Sequence, residues 1–140
     1  MSGMKSYREL DTWKLAMTLV ETTYTLTGLF PDTERYGLIA QMRRCAVSIP
    51  SNITEGQARG MVRVGLHFVR VAIGSSAELS TQVEVARRLN FVSAAATRDI
   101  ESQLERIQQL LYGMQREHLR GIGTAGTASV TALCLLLLRA

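Results

Sequence analysis

Residues 30–56 read FPDTERYGLIAQMRRCAVSIPSNITEG, and the spacing of the apolar side chains in this run decides the fold class. Leu29-Phe30-Pro31-Asp32 reads as a turn, and Asp32 or Thr33 is expected to cap the helix that follows. Leu38, Met42, Cys45 and Ile49 then recur at steps of three and four, with Ile39, Ala46 and Ile53 alongside. That is the period of a helix face, and its breadth predicts a well-buried helix. Pro50 falls inside the pattern. Its ring removes one backbone donor and presses on the preceding turn, so a kink is expected between Ala46 and Pro50. Ser48, Ser51 and Asn52 are placed to satisfy groups left unpaired there.

Outward from this run the same periodicity repeats. Upstream, Leu10, Trp13, Met17, Val20 and Tyr24 make one apolar stripe that ends near Gly28. Downstream, Gly56, Gly60 and Gly65 mark the connection to a third helix, whose stripe is Val69, Ala72, Ser76, Leu79, Val83 and Ala86. Gly74-Ser75-Ser76-Ala77 lies in its middle, and such small side chains let two helices approach closely. Asn90 suits a C-cap and Ser93 an N-cap. The last helix carries Ile100, Leu104, Ile107, Leu111 and Met114 and is expected to end near Gly121. Four amphipathic helices with short links predict an all-α fold: an antiparallel up-down-up-down four-helix bundle with a kinked second helix.

The bundle is expected over residues 1–120, with a separate tail over 121–140. The tail is Gly- and Thr-rich to Thr131 and almost wholly apolar from Ala132 to Leu138. Its uncharged stretch, Gly121 to Leu138, only just reaches the ~17 residues that a membrane span requires, and the weakly apolar first half argues against one. The tail is read as a strip that packs on the bundle or on a neighbouring subunit, with a disordered appendage as an alternative. A membrane-tethered bundle is the remote alternative.

With 140 residues the chain fits a single domain, and 46% apolar against 20% charged residues is an ordinary globular balance. Cys45 and Cys134 lie far apart without metal-ligand or CxxC spacing, so they read as free thiols of a reducing cytoplasm. Residues 1–10 carry Lys5, Arg8 and Glu9 and no apolar run, so no signal peptide is expected. The sequon Asn52-Ile53-Thr54 has no meaning in that compartment.

The run from Phe30-Pro31 through Gly37-Leu38, Gln41, Arg43-Arg44 and Ser48-Ile49-Pro50-Ser51-Asn52-Ile53 to Glu55-Gly56 resembles a four-helix-bundle family. Its members are encoded in intervening sequences of bacterial large-subunit ribosomal RNA genes. Leu10-Asp11-Thr12-Trp13 and Gly74-Ser75-Ser76-Ala77-Glu78-Leu79 match it as well, in the same order, over about residues 7–115. Two features depart from it. Ile73 stands where the family usually has an arginine, and the tail lies outside the resemblance. The resemblance implies a ring-like homo-oligomer, a pentamer, whose activity is not established. The accessory protein of diversity-generating retroelements, which works with a reverse transcriptase and its RNA, is a more distant likeness.

Two groups of residues bear on function. Ser48, Asn52, Glu55 and Glu78 are expected to form a polar network, with Glu55 accepting from Arg43, Arg44 or Arg70. Arg35, Arg43, Arg44, Arg59, Arg63 and Arg70 face only Glu55 between Arg35 and Ala77, a local charge of +5 against +4 for the whole chain. Brought together in a ring, these arginines would attract RNA or DNA phosphates largely without sequence preference. An enzyme is not expected. His67 and His118 are isolated, a Ser48, His67, Glu78 triad lacks a nucleophile elbow, and no Gly-Lys-Ser/Thr follows the glycines. No cofactor or metal is expected either. The sequence therefore reads as a non-enzymatic oligomeric scaffold or interaction module, accessory to a nucleic-acid process and partnered by itself or another protein. Direct RNA or DNA binding is the alternative.

Overall fold

The structure, a computed structural model, describes residues 6–137, with side chains to Thr124. Four α-helices and no strands occur among the described residues. They are α1 (Asp11–Thr27), α2 (Leu38–Arg59), α3 (Val62–Arg88) and α4 (Ala94–Leu137). α1 packs on α2 and α4, and α3 on α2 and α4, as in a bundle. The core is one cluster drawn from all four helices, including Leu19, Met42, Ile49, Leu79, Ile100 and Ile107.

α1 corrects the expected stripe. Its buried positions are Thr12, Ala16, Leu19, Thr23, Leu26 and Thr27. Met17 and Tyr24 are instead 38% and 46% exposed. Threonine can take these core places because its hydroxyl is satisfied within the helix: Thr23 Oγ1 donates to the Leu19 carbonyl at 2.7 Å and Thr27 Oγ1 to the Thr23 carbonyl at 2.8 Å. Leu10, Trp13 and Val20 of the expected stripe are half-buried against the edge of the core, and only Met17 and Tyr24 turn out to solvent.

α2 buries Met42, Cys45, Ala46, Ile49, Pro50 and Ile53, close to the expected face. Its N-terminus differs. Asp32 and Thr33 lie in a 3-10 turn, and the Glu34 carboxylate accepts from the Leu38 backbone N–H at 3.1 Å. A Cβ at Gly37 would lie 2.7 Å from Oε2, so the Glu34 carboxylate would have to shift from its capping position. Pro50 does not end the helix, which runs unbroken to Arg59. The Ser51 hydroxyl donates to the Val47 carbonyl at 2.8 Å and Asn52 Nδ2 to the Ser48 carbonyl at 2.7 Å. Both bonds go to the carbonyls that follow Ala46, whose own carbonyl is the one deprived of a donor by Pro50.

The expected Gly56–Gly65 connection shrinks to Gly60 and Met61. Only Gly60 has the left-handed backbone that favours glycine, with φ 64°. Gly56 and Gly65 lie within helices and bring α2 and α3 together: a Cβ on Gly56 would meet Phe68 Cβ at 3.2 Å and the Gly65 carbonyl oxygen at 3.5 Å.

α3 buries its whole expected stripe, together with Gly65, Leu66 and Gln82. It ends in a Schellman closure around Asn90, whose φ is 58°. The Phe91 N–H donates to the Ala86 carbonyl at 2.9 Å and the Asn90 N–H to Arg87 at 3.0 Å. Ser93 caps α4 by accepting from Ala96 N–H at 3.2 Å. Ile100, Leu104, Ile107 and Leu111 are buried as expected. α4 does not stop near Gly121, however. Its helical backbone continues to Leu137, with Gly121 set against the Val62 side chain, 3.3 Å from a would-be Cβ. The side chains of the apolar run, and residues 138–140, lie outside the described part. Among the described residues, no helix is long and apolar enough to cross a membrane.

Candidate functional site

Two surfaces flank the Pro50 segment of α2. The first is polar and faces α3. There the Ser48 hydroxyl lies 2.9 Å from that of Ser75 and accepts from Asn52 Nδ2 at 2.9 Å, tying the two helices together. Ser48 and Ser75 line a cavity of about 250 Å³ together with Gln41, Arg44, Cys45 and Glu78. Ser48 and Asn52 thus join as expected, and Glu78 stands at the same cavity. Glu78 itself accepts from Gln82 Nε2 at 3.2 Å. Glu55 is elsewhere. It pairs with Arg59 at 2.6 Å, one turn along its own helix, and not with Arg43, Arg44 or Arg70.

The Ser48, His67, Glu78 constellation is not assembled. Ser48 bonds to Ser75 and Asn52, while His67 is exposed with its ring edge-on to Phe68. Cys45 is buried, and burial pushes its thiol pKa up against the pull of the Gln82 amide, which reaches Sγ at 3.5 Å. A buried thiol of this kind is a packing group, not an activated nucleophile. Among the described residues, no three His, Cys, Asp or Glu side chains are grouped to hold a metal.

The six central arginines divide by environment. Arg43 is half-buried between α1 and α2, its Nε donating to Thr27 Oγ1 at 3.0 Å and its guanidinium 4.3 Å from the Tyr24 ring centre. Arg59 is held by Glu55 and lies 5.6 Å from the Phe68 ring centre. Arg35, Arg44, Arg63 and Arg70 are exposed and make no ion pair among the described residues. Two of the six therefore have internal work, and four present free charge to solvent.

The second surface is apolar and faces α1. Trp13, Met17 and Val20 from α1 and Val47 and Pro50 from α2 line an open cleft of about 370 Å³ with Ser51 and Thr54 at its edge. The sequence pattern singled out Trp13, Met17 and Val20 as one apolar stripe, of which Trp13 and Val20 do pack half-buried against the core while Met17 is exposed. The signal for the more deeply buried face is a second stripe on the same helix, Thr12, Ala16, Leu19, Thr23 and Leu26, also at helical spacing.

The model of the 23S rRNA-intervening sequence protein family matches residues 8–113, three quarters of the chain. The chain belongs to that family. The match includes both surfaces beside Pro50 and all six arginines, and it stops before Met114, so the last part of α4 lies outside it. A comparison with curated proteins finds no match.

Proposed function

We propose that the protein is a non-enzymatic oligomeric scaffold, assembled from copies of itself as a homopentameric ring in the cytoplasm, that serves a nucleic-acid process. The observation that carries the self-assembly in this reading is the apolar cleft of Trp13, Met17, Val20, Val47 and Pro50, while the five-membered ring and the link to nucleic acid rest on the family alone. A cleft whose apolar lining includes the exposed Met17 and Val47 beside the half-buried Trp13 and Val20 presents a surface that suits another subunit. The subunit is taken as an antiparallel up-down-up-down bundle. This is supported by pairs that run in opposite order: Gly56 with Gly65 and Ser48 with Ser75 across α2 and α3, then Ser80 with Gln108 and Arg87 with Glu101 across α3 and α4.

Light scattering on the full chain tests the assembly. A particle near five times the 15.5 kDa chain mass is expected, and Met17→Glu with Val20→Glu should reduce it to a helical monomer. A wild-type monomer at every concentration rejects the scaffold.

A second reading, sequence-independent binding of RNA or DNA, is favoured by one observation: Arg35, Arg44, Arg63 and Arg70 are exposed without an ion pair among the described residues. Repeated around a ring, they would concentrate positive potential, and binding should weaken steeply with salt. Titration of labelled RNA at two salt concentrations tests it. No binding at low salt, or binding unchanged by Arg44→Glu with Arg63→Glu and Arg70→Glu, rejects it.

A further inference from the structure

The apolar C-terminal end of α4 and the apolar cleft between α1 and α2 are two surfaces of the same chemistry on one chain. From Gly121 to Leu138 no residue is charged, and Val130, Leu133, Cys134 and Leu137 recur at steps of three and four. Leu135 and Leu136 widen that face, so water-exposed helix is a poor resting state for it. The cleft offers side-chain room bounded by Trp13, Met17, Val20, Val47 and Pro50, a lining suited to an apolar helix laid along it.

The path of α4 decides which copy supplies the helix. Leu10, Asp11, Met114 and His118 share one cavity, so α4 passes the start of α1, next to the Trp13 that lines the cleft, at about His118. It then continues as unbroken helix to Leu137. Sixteen residues beyond Gly121 carry the chain about 24 Å further at the ordinary helical rise. An unbroken helix does not turn back, so its apolar end is directed away from the cleft of its own chain. We infer that residues 130–138 of each copy dock into the α1/α2 cleft of a neighbouring copy.

Such a contact is head-to-tail, and repeated with closure it makes a ring. The inference rests on the oligomeric reading above and adds the segment that seals each junction. It belongs to this chain and not to the family match, which ends at residue 113.

The test uses the native Cys134 in the full-length protein. Val47 is 43% exposed at the cleft and tolerates change, so Val47→Cys is made in a Cys45→Ala background and oxidised with diamide. Non-reducing gels should show disulfide-linked dimers and higher species at a concentration where Cys45→Ala alone and Thr81→Cys in the same background show few. Met17→Cys should repeat the result. Leu133→Glu with Leu137→Glu should abolish the cross-link.

An intramolecular disulfide that leaves a monomer band overturns the docking between copies. So does a full-size oligomer with no cross-link from either cleft position, an outcome that leaves the scaffold reading standing. A monomer by light scattering removes both. Flotation of the full chain with phosphatidylcholine/phosphatidylglycerol vesicles, abolished by Leu133→Glu with Leu137→Glu, would assign the segment to lipid and overturn the inference.

Discussion

Gly56 on α2 and Gly65 on α3 face each other so closely that a Cβ on Gly56 would lie 3.6 Å from the Gly65 Cα and 3.2 Å from Phe68 Cβ. A Cβ on Gly65 would come 2.6 Å from His118 Cε1 on α4. Three helices therefore converge at a point made possible by missing side chains.

Gly56→Ala and Gly74→Ala should consequently have opposite signs. Both glycines are helical, so alanine gains about 1 kcal/mol of helix preference at either place. At Gly74 nothing lies within 4 Å, and that gain should appear in full. At Gly56 the contact is with Phe68 Cβ, which is fixed to backbone and cannot swing aside. Overpacking of about 1–3 kcal/mol should outweigh the gain. Urea unfolding of the two variants checks the contrast.

Arg43 should behave differently from its neighbour Arg44. Removing Arg43 loses a hydrogen bond to Thr27 and a guanidinium stacked on Tyr24, so Arg43→Ala should cost about 1–2 kcal/mol. Arg43→Lys should not restore it, because a point charge cannot reproduce the planar contact. Arg44→Ala should stay within ~0.5 kcal/mol in stability. If the exposed arginines bind phosphate, that same change should lower affinity for RNA. Parallel melts and titrations separate the two roles.

Glu34→Ala should destabilise the protein by about 1 kcal/mol, since it leaves the Leu38 N–H at the start of α2 without its carboxylate. Asp32→Ala and Thr33→Ala should have little effect, because neither side chain caps that helix. Urea midpoints of the three variants decide between the caps.

Alkaline pH should weaken the fold through Cys45. Burial raises its folded pKa above the ordinary value of 9.0, so the native state holds the proton where the unfolded chain has released it. Its contribution is complete below the unfolded pKa and is lost as pH rises from there through the folded pKa. The wild type should therefore lose stability relative to Cys45→Ala above about pH 9. Identical pH slopes in paired denaturation curves would contradict the burial.

The helices were legible because three of the four stripes are simple: Met42 to Ile53 on α2, Val69 to Ala86 on α3 and Ile100 to Leu111 on α4 are buried as their spacing requires. α1 was not, because it carries two stripes, and size alone favours Trp13 and Met17 over Thr12 and Thr23. The bonds of Thr23 and Thr27 to their own helix let these threonines be buried beside Leu19 and Leu26. Thr18, Thr22 and Thr25, none of them buried, make the same bond, so it does not mark the buried face in sequence. Glycine misled in both directions. Gly56 and Gly65 looked like linker and serve as close contacts, while Gly121 looked like a stop and lies inside α4. The arginines were countable from sequence, yet which of them are held by Thr27 or Glu55 depends on packing between helices and on side-chain direction. Ser48 and Asn52 were within reach because they stand four apart on one helix. Ser75 as the third member was not, since it comes from the facing helix.

Sedimentation equilibrium of the full-length chain over a wide concentration range bears most directly on the scaffold. A single species near five times 15.5 kDa is expected, falling toward one chain when Met17→Glu and Val20→Glu charge the cleft. A wild-type mass of 15.5 kDa at all concentrations would contradict it.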